Sequence, residues 1–331
     1  MKKISDKNFC SVDVCKLFMA YVVIAIHTNP FINIDNQLLV NIFIVLEDFA
    51  VPFFFITSGF FLKISIDKHD GDEFNQYKKY FFKILKMYVV WTLVSLPLTI
   101  YGYCISGEGI LHCILSYIKY FFFVGKLYNS YHLWYLLALL YAVIFIWLLR
   151  KMRFSKYAIL VIAIGMYLIN ECISYLSLQI DGNIDFINKI IDIYQYVFNK
   201  GGIFTGTVYV CIGMLIAEKM KVINSFVCIV SLVIINVVQF NVNANICSVM
   251  NIIEAVFFFM LIMQIKLPKK EYYTMCRNMS INIYLVHLIV FSVYTILVIK
   301  TPNKLGVDSF VAVSIFSSII AYIMVKLKRA I

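Results

Sequence analysis

Long apolar runs recur along the whole chain, and each matches the thickness of the hydrocarbon core of a bilayer. A helix needs about 20 apolar residues to cross that core. A soluble domain could not hide this much apolar surface, because 62% of the 331 residues are hydrophobic and only 14% are charged. The alternating pattern of a β-barrel is absent. We therefore predict an all-α polytopic membrane protein with ten spans, over about residues 12–29, 38–62, 80–103, 131–149, 156–178, 203–217, 222–240, 246–266, 280–299 and 307–326.

The basic residues predict the orientation of these spans. Of the 29 Lys and Arg residues, 22 lie at the two termini or in the connecting segments on the same side, and six lie in the alternate segments. Positive residues are retained on the cytoplasmic side of a membrane. We therefore predict a multi-pass protein of a bacterial-type plasma membrane with both termini in the cytoplasm. The net charge of +11 is then a topology signal that favours the lipid bilayer as partner, and no nucleic-acid partner is expected.

The nine cysteines lie mostly inside the apolar runs and form no CxxC pair, and no two histidines have metal-ligand spacing. Cysteines in such runs act as small apolar packing residues, so no metal site is predicted. We treat residues 1–331 as a single transmembrane domain. The chain ends on basic residues directly after the last span, which is compatible with a further cytoplasmic domain beyond residue 331.

The first span carries three ionisable residues, Asp13, Lys16 and His27. Ionisable groups inside a membrane are costly, and they mark functional sites by default. Lys16 and His27 are 11 residues apart, about three turns plus 20°, so they share one face about 16 Å apart along the axis. Asp13 is spaced to pair with Lys16. We predict catalytic roles for all three, and the alternatives are that Lys16 only reaches the inner headgroups and that His27 only bonds a neighbouring helix.

The second span places Glu47 and Asp48 near mid-depth and Ser58 further along. Two adjacent carboxylates at that depth are expected to face a cavity, where one pairs with Lys16 or His27 or is held protonated by burial. We predict that these residues form a substrate-binding site with polar and aromatic residues of the fourth and ninth spans. Its members are Asp48, Glu47, Ser58, His132, Trp134, Tyr284 and His287.

Four motifs, in chain order, resemble those of the acyltransferase 3 family of integral membrane proteins. Val12–Lys16 followed by ten residues and His27 resembles the first-helix signature of that family. Ala50–Gly59 is similar to its second-helix motif, His132–Leu136 to its fourth-helix motif and Tyr284–His287 to its ninth-helix motif. The resemblance covers nearly the whole chain. It implies a membrane acyltransferase fold in which His27 is a general base or a transient acyl carrier.

Within that family, the chain is similar to the membrane domains of the membrane-bound serine racemases of vancomycin-resistance clusters. This resemblance implies uptake of L-serine for a fused cytoplasmic racemase domain, which makes D-serine for altered cell-wall precursors. Two residues depart from the family pattern, because Lys16 replaces an arginine and Asp48 stands where an arginine is common. Lysine lacks the planar fork with which arginine grips phosphate, so both changes argue against tight binding of acetyl-CoA.

Two functions remain as hypotheses. The favoured one is a module that binds L-serine and supplies it to the cytoplasm, with Lys16 attracting the substrate carboxylate and His27 meeting its hydroxyl; it requires no cofactor. The alternative is an enzyme, an acetyl-CoA-dependent O-acyltransferase that acts on a hydroxyl acceptor with His27 as catalytic base. A purely structural anchor is disfavoured, because one span would suffice for that task.

Overall fold

The computed structural model describes residues 9–69, 72–179, 194, 202–219, 223–239 and 244–330. Most of these residues are helical and none of them forms a strand, because a helix satisfies its own backbone hydrogen bonds in lipid. The predicted all-α polytopic class is confirmed. The α-helices are α1 (Cys10–Thr28), α2 (Gln37–Lys68), α3 (Glu73–Ser106), α4 (Ile110–Lys119), α5 (Trp134–Lys151), α6 (Lys156–Gln179), α7 (Gly202–Lys219), α8 (Ser225–Gln239), α9 (Ala244–Gln264), α10 (Tyr272–Val293) and α11 (Val307–Ala330).

Seven helical segments of the described residues are long and apolar enough to cross a membrane, and they coincide with seven of the predicted spans. The other three predicted spans coincide with α7, α8 and α9. Helices α2 and α3 are 32 and 34 residues long and extend beyond the predicted spans. Hydropathy predicts only the part of a helix that lies in the lipid, whereas the backbone hydrogen bonds of that helix continue into the polar residues beyond it. The seven segments are Cys10–Thr28, Gln37–Lys68, Glu73–Ser106, Tyr131–Lys151, Lys156–Tyr175, Tyr272–Val298 and Val307–Leu327.

The chain divides into two compact units, and the first unit comprises residues 1–54, 222–236 and 257–331. In this unit α1 packs along α10 and also contacts α11, which in turn packs against α10. The Tyr21 and Ser318 hydroxyls lie 2.7 Å apart and join α1 to α11. The backbone nitrogen of Gly306 donates to the carbonyl oxygen of Thr28 at 2.8 Å. The C-terminal half of α1 is therefore held by α11 and by the residue that directly precedes it.

The second unit comprises residues 55–221 and 237–256. Here α5 packs against α3 and α7, and α6 packs against α7. Helix α2 approaches α7 at two glycines, because a Cβ on Gly59 would lie 2.8 Å from the carbonyl carbon of Val210, and one on Gly213 would lie 2.9 Å from the backbone nitrogen of Phe60. Such close backbone contact requires small residues. It fixes the position of Ser58, which precedes Gly59 in α2.

Candidate functional site

Asp13 and Lys16 lie one turn apart near the start of α1, and α10 brings a second cation to them. Lys16 Nζ is 3.8 Å from Asp13 Oδ1, and Arg277 Nη1 is 4.0 Å from Asp13 Oδ2. Asp13 is buried, and only 13% of the Lys16 side chain is exposed. One carboxylate between two cations leaves a net positive charge. This end of the helix pair therefore favours an anionic group.

His27 lies at the other end of α1, where its ring stacks on the ring of His287 from α10. The ring centroids are 5.3 Å apart and the planes are inclined by 16°. Helix α1 ends directly afterwards, because Asn29 is left-handed with a φ of 39° and Pro30 cannot continue the helix. Two imidazolium rings at this distance would repel each other by about 3 kcal/mol at an effective dielectric constant of about 20. We therefore expect the pair to hold one positive charge at most.

Hydrogen bonds define which nitrogen of His287 carries a proton. Nδ1 lies 2.7 Å from the carbonyl oxygen of Tyr284 and 3.2 Å from that of Ile283. Because a carbonyl oxygen only accepts, Nδ1 donates, and Nε2 is the acceptor in the neutral ring. His287 is buried, and the ring of Tyr284 lies 6.1 Å from its own. The backbone of α10 therefore sets both the tautomer and the orientation of His287 beside His27.

Helices α1 and α10 run parallel, because their contacts occur in the same order along both. Asp13 meets Arg277 near the two starts, and His27 meets His287 towards the two ends. The fourteen residues from Asp13 to His27 correspond to about 21 Å of helix. One helix pair thus carries a cationic cluster at one end and an imidazole pair at the other, along the face that the sequence spacing indicates.

Glu47 and Asp48 are not paired with these charged groups. Glu47 is half-buried and Asp48 is exposed in α2. The ion pair expected between one of them and Lys16 or His27 is not formed among the described residues, where Lys16 pairs with Asp13 instead. Asp13 is one turn away on the same helix, so this pairing needs no long-range closure of the chain.

Ser58 and His132 lie in the second unit. The Ser58 hydroxyl is 3.0 Å from the Tyr135 hydroxyl. His132 is buried in a short 3₁₀ turn that leads into α5. The predicted substrate residue Ser58 therefore contacts the Tyr135 hydroxyl. The ring centroid of Tyr135 in turn lies 4.5 Å from that of Phe55.

Trp134 begins α5 and is surrounded by close neighbours of the second unit. Its ring centroid is 6.2 Å from that of Phe55. A Cβ on Gly202 would lie 2.9 Å from Trp134 Cε3, so the start of α7 lies against the indole ring. The ring is therefore held by packing from α2 and α7.

The predicted site residues divide between the two units. Asp13, Lys16, His27, Glu47, Asp48, Tyr284 and His287 belong to the first unit, and Ser58, His132 and Trp134 belong to the second. The contact of Tyr135 with Ser58 was not predicted from the sequence. Arg277 entered the sequence prediction only as one of the basic residues that indicate the orientation in the membrane. Spacing could have found Arg277, because it lies seven residues before Tyr284 and so on the same face of α10.

Comparisons with known proteins agree with the family resemblance. The acyltransferase 3 family (Acyl_transf_3, acyltransferase domain) matches residues 11–326. An amino-acid racemase of Enterococcus faecalis is 26% identical over 348 aligned positions, which cover 96% of this chain and 46% of that protein. A serine/alanine racemase of Enterococcus gallinarum is 27% identical over 63% of this chain and 29% of its own length. The chain thus spans less than half the length of these relatives. No solved structure gives a significant match.

The family match begins inside α1, at residue 11, and ends inside α11, at residue 326. It therefore includes both ends of the α1–α10 pair and the helices of the second unit. The four motifs that carry the resemblance all lie within it. This chain belongs to the acyltransferase 3 family of membrane proteins.

Proposed function

We propose that this chain is a membrane acyltransferase that moves an acetyl group from acetyl-CoA to a hydroxyl acceptor. The observation that carries the proposal is the parallel α1–α10 pair, with the stacked rings of His27 and His287 at one end and the cations Lys16 and Arg277 at the other. Histidine is the commonest general base in enzymes. Paired cations suit a donor that carries phosphates.

His27 is the general base of this reaction. Its imidazole takes the proton of the acceptor hydroxyl while the hydroxyl oxygen forms a bond to the acyl carbon. The bond between that carbon and the sulfur of coenzyme A then breaks, and the coenzyme leaves as a thiolate. The imidazolium returns its proton to the thiolate or to water. His287, whose Nδ1–H is held by carbonyl oxygens of α10, positions His27 through the stacked rings.

Arg277 can supply the guanidinium group that α1 lacks, because Lys16 replaces the arginine of the first-helix motif. Its guanidinium has the planar fork that suits phosphate, and 44% of its side chain is exposed. Lys16 adds a second cation beside Asp13. We expect the phosphates of acetyl-CoA to bind at this predicted cytoplasmic end. The extended pantetheine arm would then point along the helix pair towards His27.

Turnover of acetyl-CoA by the purified chain in lipid nanodiscs tests the proposal. His27→Ala should lower kcat by at least about 100-fold, which is the usual contribution of a general base. His69→Ala is the matched control, because His69 is an exposed histidine at the end of α2 whose ring contacts the carbonyl of Ser65. Wild-type turnover in His27→Ala would overturn the mechanism.

A second candidate function is the supply of L-serine to a fused racemase domain beyond residue 331. The relatives favour it, because 96% of this chain is similar to an amino-acid racemase and 63% to a serine/alanine racemase. In this candidate Lys16 attracts the carboxylate of the substrate, and His27 meets its hydroxyl.

Uptake of labelled L-serine into proteoliposomes separates the two candidates. Saturable uptake by the wild type and His69→Ala that is lost in His27→Ala would support serine supply. Acetyl transfer without serine uptake would support the acyltransferase.

A further inference from the structure

A cavity of about 300 Å³ lies where helix ends of the second unit meet. Its wall is formed by the ends of α2, α5 and α7 and by the starts of α3 and α6. None of the site residues predicted from the sequence lines it. Its charged lining consists of Lys63, Asp67, Glu73, Arg150, Lys156 and Glu218.

Two ion pairs join different helices across the wall of this cavity. Arg150 binds Glu73 through two bonds, from Nε to Oε1 at 2.9 Å and from Nη2 to Oε2 at 3.0 Å. Lys156 Nζ lies 2.8 Å from Glu218 Oε2. About a quarter of the Arg150 and Glu73 side chains and just over a third of the Lys156 and Glu218 side chains remain exposed. These pairs therefore keep surface that a ligand can reach.

A third ion pair, between Lys63 and Asp67, lies one turn apart on α2. Lys63 is buried, and 10% of its side chain is exposed. Glu218 lies directly after the predicted span 203–217. Burial alone would raise the pKa of its carboxyl group. The hydrogen bond from Lys156 and the charges of Lys156, Lys63 and Arg150 together outweigh burial, so the pKa of Glu218 lies below its usual value. Glu218 is therefore ionised at neutral pH.

The remainder of the lining is largely apolar, with a tyrosine ring and two sulfur-containing side chains. The Tyr77 hydroxyl lies 3.9 Å from the Met214 sulfur. A volume of about 300 Å³ is at the lower end of the range for small-molecule sites, roughly 300–1,000 Å³. The cavity thus fits a small molecule with an apolar portion. This part of the lining includes Tyr77, Ile146, Ile159, Cys211, Met214 and Leu215.

The charge balance of the lining selects among small ligands. Three cations and three carboxylates surround the cavity, so an anion such as a nucleotide would face as many repulsive groups as attractive ones. A buried charge is tolerated only when it is paired. A zwitterion brings one positive and one negative charge, so the cavity lining and its ligand together remain neutral. Its apolar side chain can then rest against the apolar part of the wall.

We propose that this cavity binds a free amino acid with an apolar side chain, as a zwitterion whose ammonium meets Glu73 or Glu218 and whose carboxylate meets Arg150 or Lys156. The proposal goes beyond the acyl transfer assigned to the α1–α10 pair and does not depend on it. It concerns binding alone and involves no covalent step.

Binding of labelled L-leucine to the purified full chain in nanodiscs tests the proposal, with competition by analogues that each lack one charge. The analogues are 3-methylbutylamine, without the carboxylate, and 4-methylpentanoate, without the ammonium. Two further competitors test whether the cavity binds a different kind of ligand. ADP tests for an anion site, and glycerophosphoethanolamine tests for a lipid-headgroup site. We expect saturable binding of leucine that none of the four competitors displaces at equal concentration.

Three variants locate the binding. Glu73→Gln with Arg150→Gln removes both partners of one pair and should weaken leucine binding by at least about tenfold, or about 1.4 kcal/mol. Leu215→Trp should weaken it similarly by filling the cavity without changing its charge. The control is Lys304→Gln with Asp308→Asn, which removes an exposed ion pair of the first unit and should leave binding unchanged.

The outcomes decide the proposal in either direction. Binding of leucine that Leu215→Trp or the Glu73 and Arg150 double variant reduces, in chains that remain monodisperse by size exclusion, supports it. Absence of leucine binding to the monodisperse wild type overturns it. Displacement of leucine by either single-charge analogue, by ADP or by glycerophosphoethanolamine also overturns it, as does equal binding by the wild type, the double variant and Leu215→Trp.

Discussion

Replacing Gly213 by alanine tests the close contact between α2 and α7. The added Cβ would lie 2.8 Å from the carbonyl carbon of Ile56 and 2.9 Å from the backbone nitrogen of Phe60, whereas favourable carbon contacts lie at about 3.5–4.0 Å. Both neighbours belong to the backbone of α2, which cannot rotate aside as a side chain can. The overlap is largest at the carbonyl oxygen of Ile56. Its relief therefore requires the two helices to move apart by more than roughly 1 Å.

The expected magnitude follows from this separation. Overpacking a well-packed site costs about 1–3 kcal/mol, and a backbone neighbour places Gly213→Ala at the upper end of that range. A gap of about 0.5–1 Å also forfeits a quarter to a half of the dispersion energy of neighbouring contacts. Alanine recovers about 1 kcal/mol through its higher helix propensity. We therefore expect a net loss of about 2 kcal/mol in the free energy of unfolding.

Gly165→Ala is the matched control, because Gly165 also lies inside a helix and no atom lies within 4 Å of a Cβ built there. This variant should gain about 0.5–1 kcal/mol from the reduced backbone entropy of the unfolded chain. Titration with SDS in mixed micelles, followed by tryptophan fluorescence, measures both free energies. If Gly213→Ala proves as stable as Gly165→Ala, the close approach of α2 and α7 is refuted.

Three further variants have defined outcomes. Ser58→Ala removes the hydroxyl that meets Tyr135 and should lower the free energy of unfolding by about 1 kcal/mol in the same titration; no loss would contradict that hydrogen bond. Arg277→Gln should raise the KM for acetyl-CoA by about tenfold with little change in kcat, because Arg277 contacts the donor and not the reacting hydroxyl; an unchanged KM would place the donor elsewhere. Lys156→Gln should cost less than about 1 kcal/mol, because more than a third of each partner in its pair with Glu218 is exposed; the cost should vanish at 1 M salt, and a salt-independent cost would show that the pair is shielded from solvent.

The helical class of the protein follows from the sequence because the bilayer imposes it. Each apolar run must satisfy its backbone hydrogen bonds internally, and a helix is the solution available to a single run. Helix ends are less predictable. Helix α3 begins at Glu73, seven residues before the predicted span 80–103, because its first turns are polar and leave no hydropathy signal.

The candidate site is partly visible in the sequence. The spacing of Asp13, Lys16 and His27 places them on one face of α1, and the structure finds Lys16 beside Asp13 and His27 against His287. Spacing within one helix cannot tell which residue of another helix meets that face. Arg277 therefore remained one of many basic residues until α10 placed it beside Asp13.

The sequence by itself determined the membrane class, the approximate positions of the ten apolar helices and the polar face of α1, because hydropathy and helical period are properties of neighbouring residues. Only the tertiary structure decided that His27 stacks on His287, that Lys16 pairs with Asp13 and not with Asp48, and that the ends of five helices enclose a cavity lined by three ion pairs. Those contacts depend on how helices far apart in the chain pack together, and packing is set by side-chain shape across several helices at once.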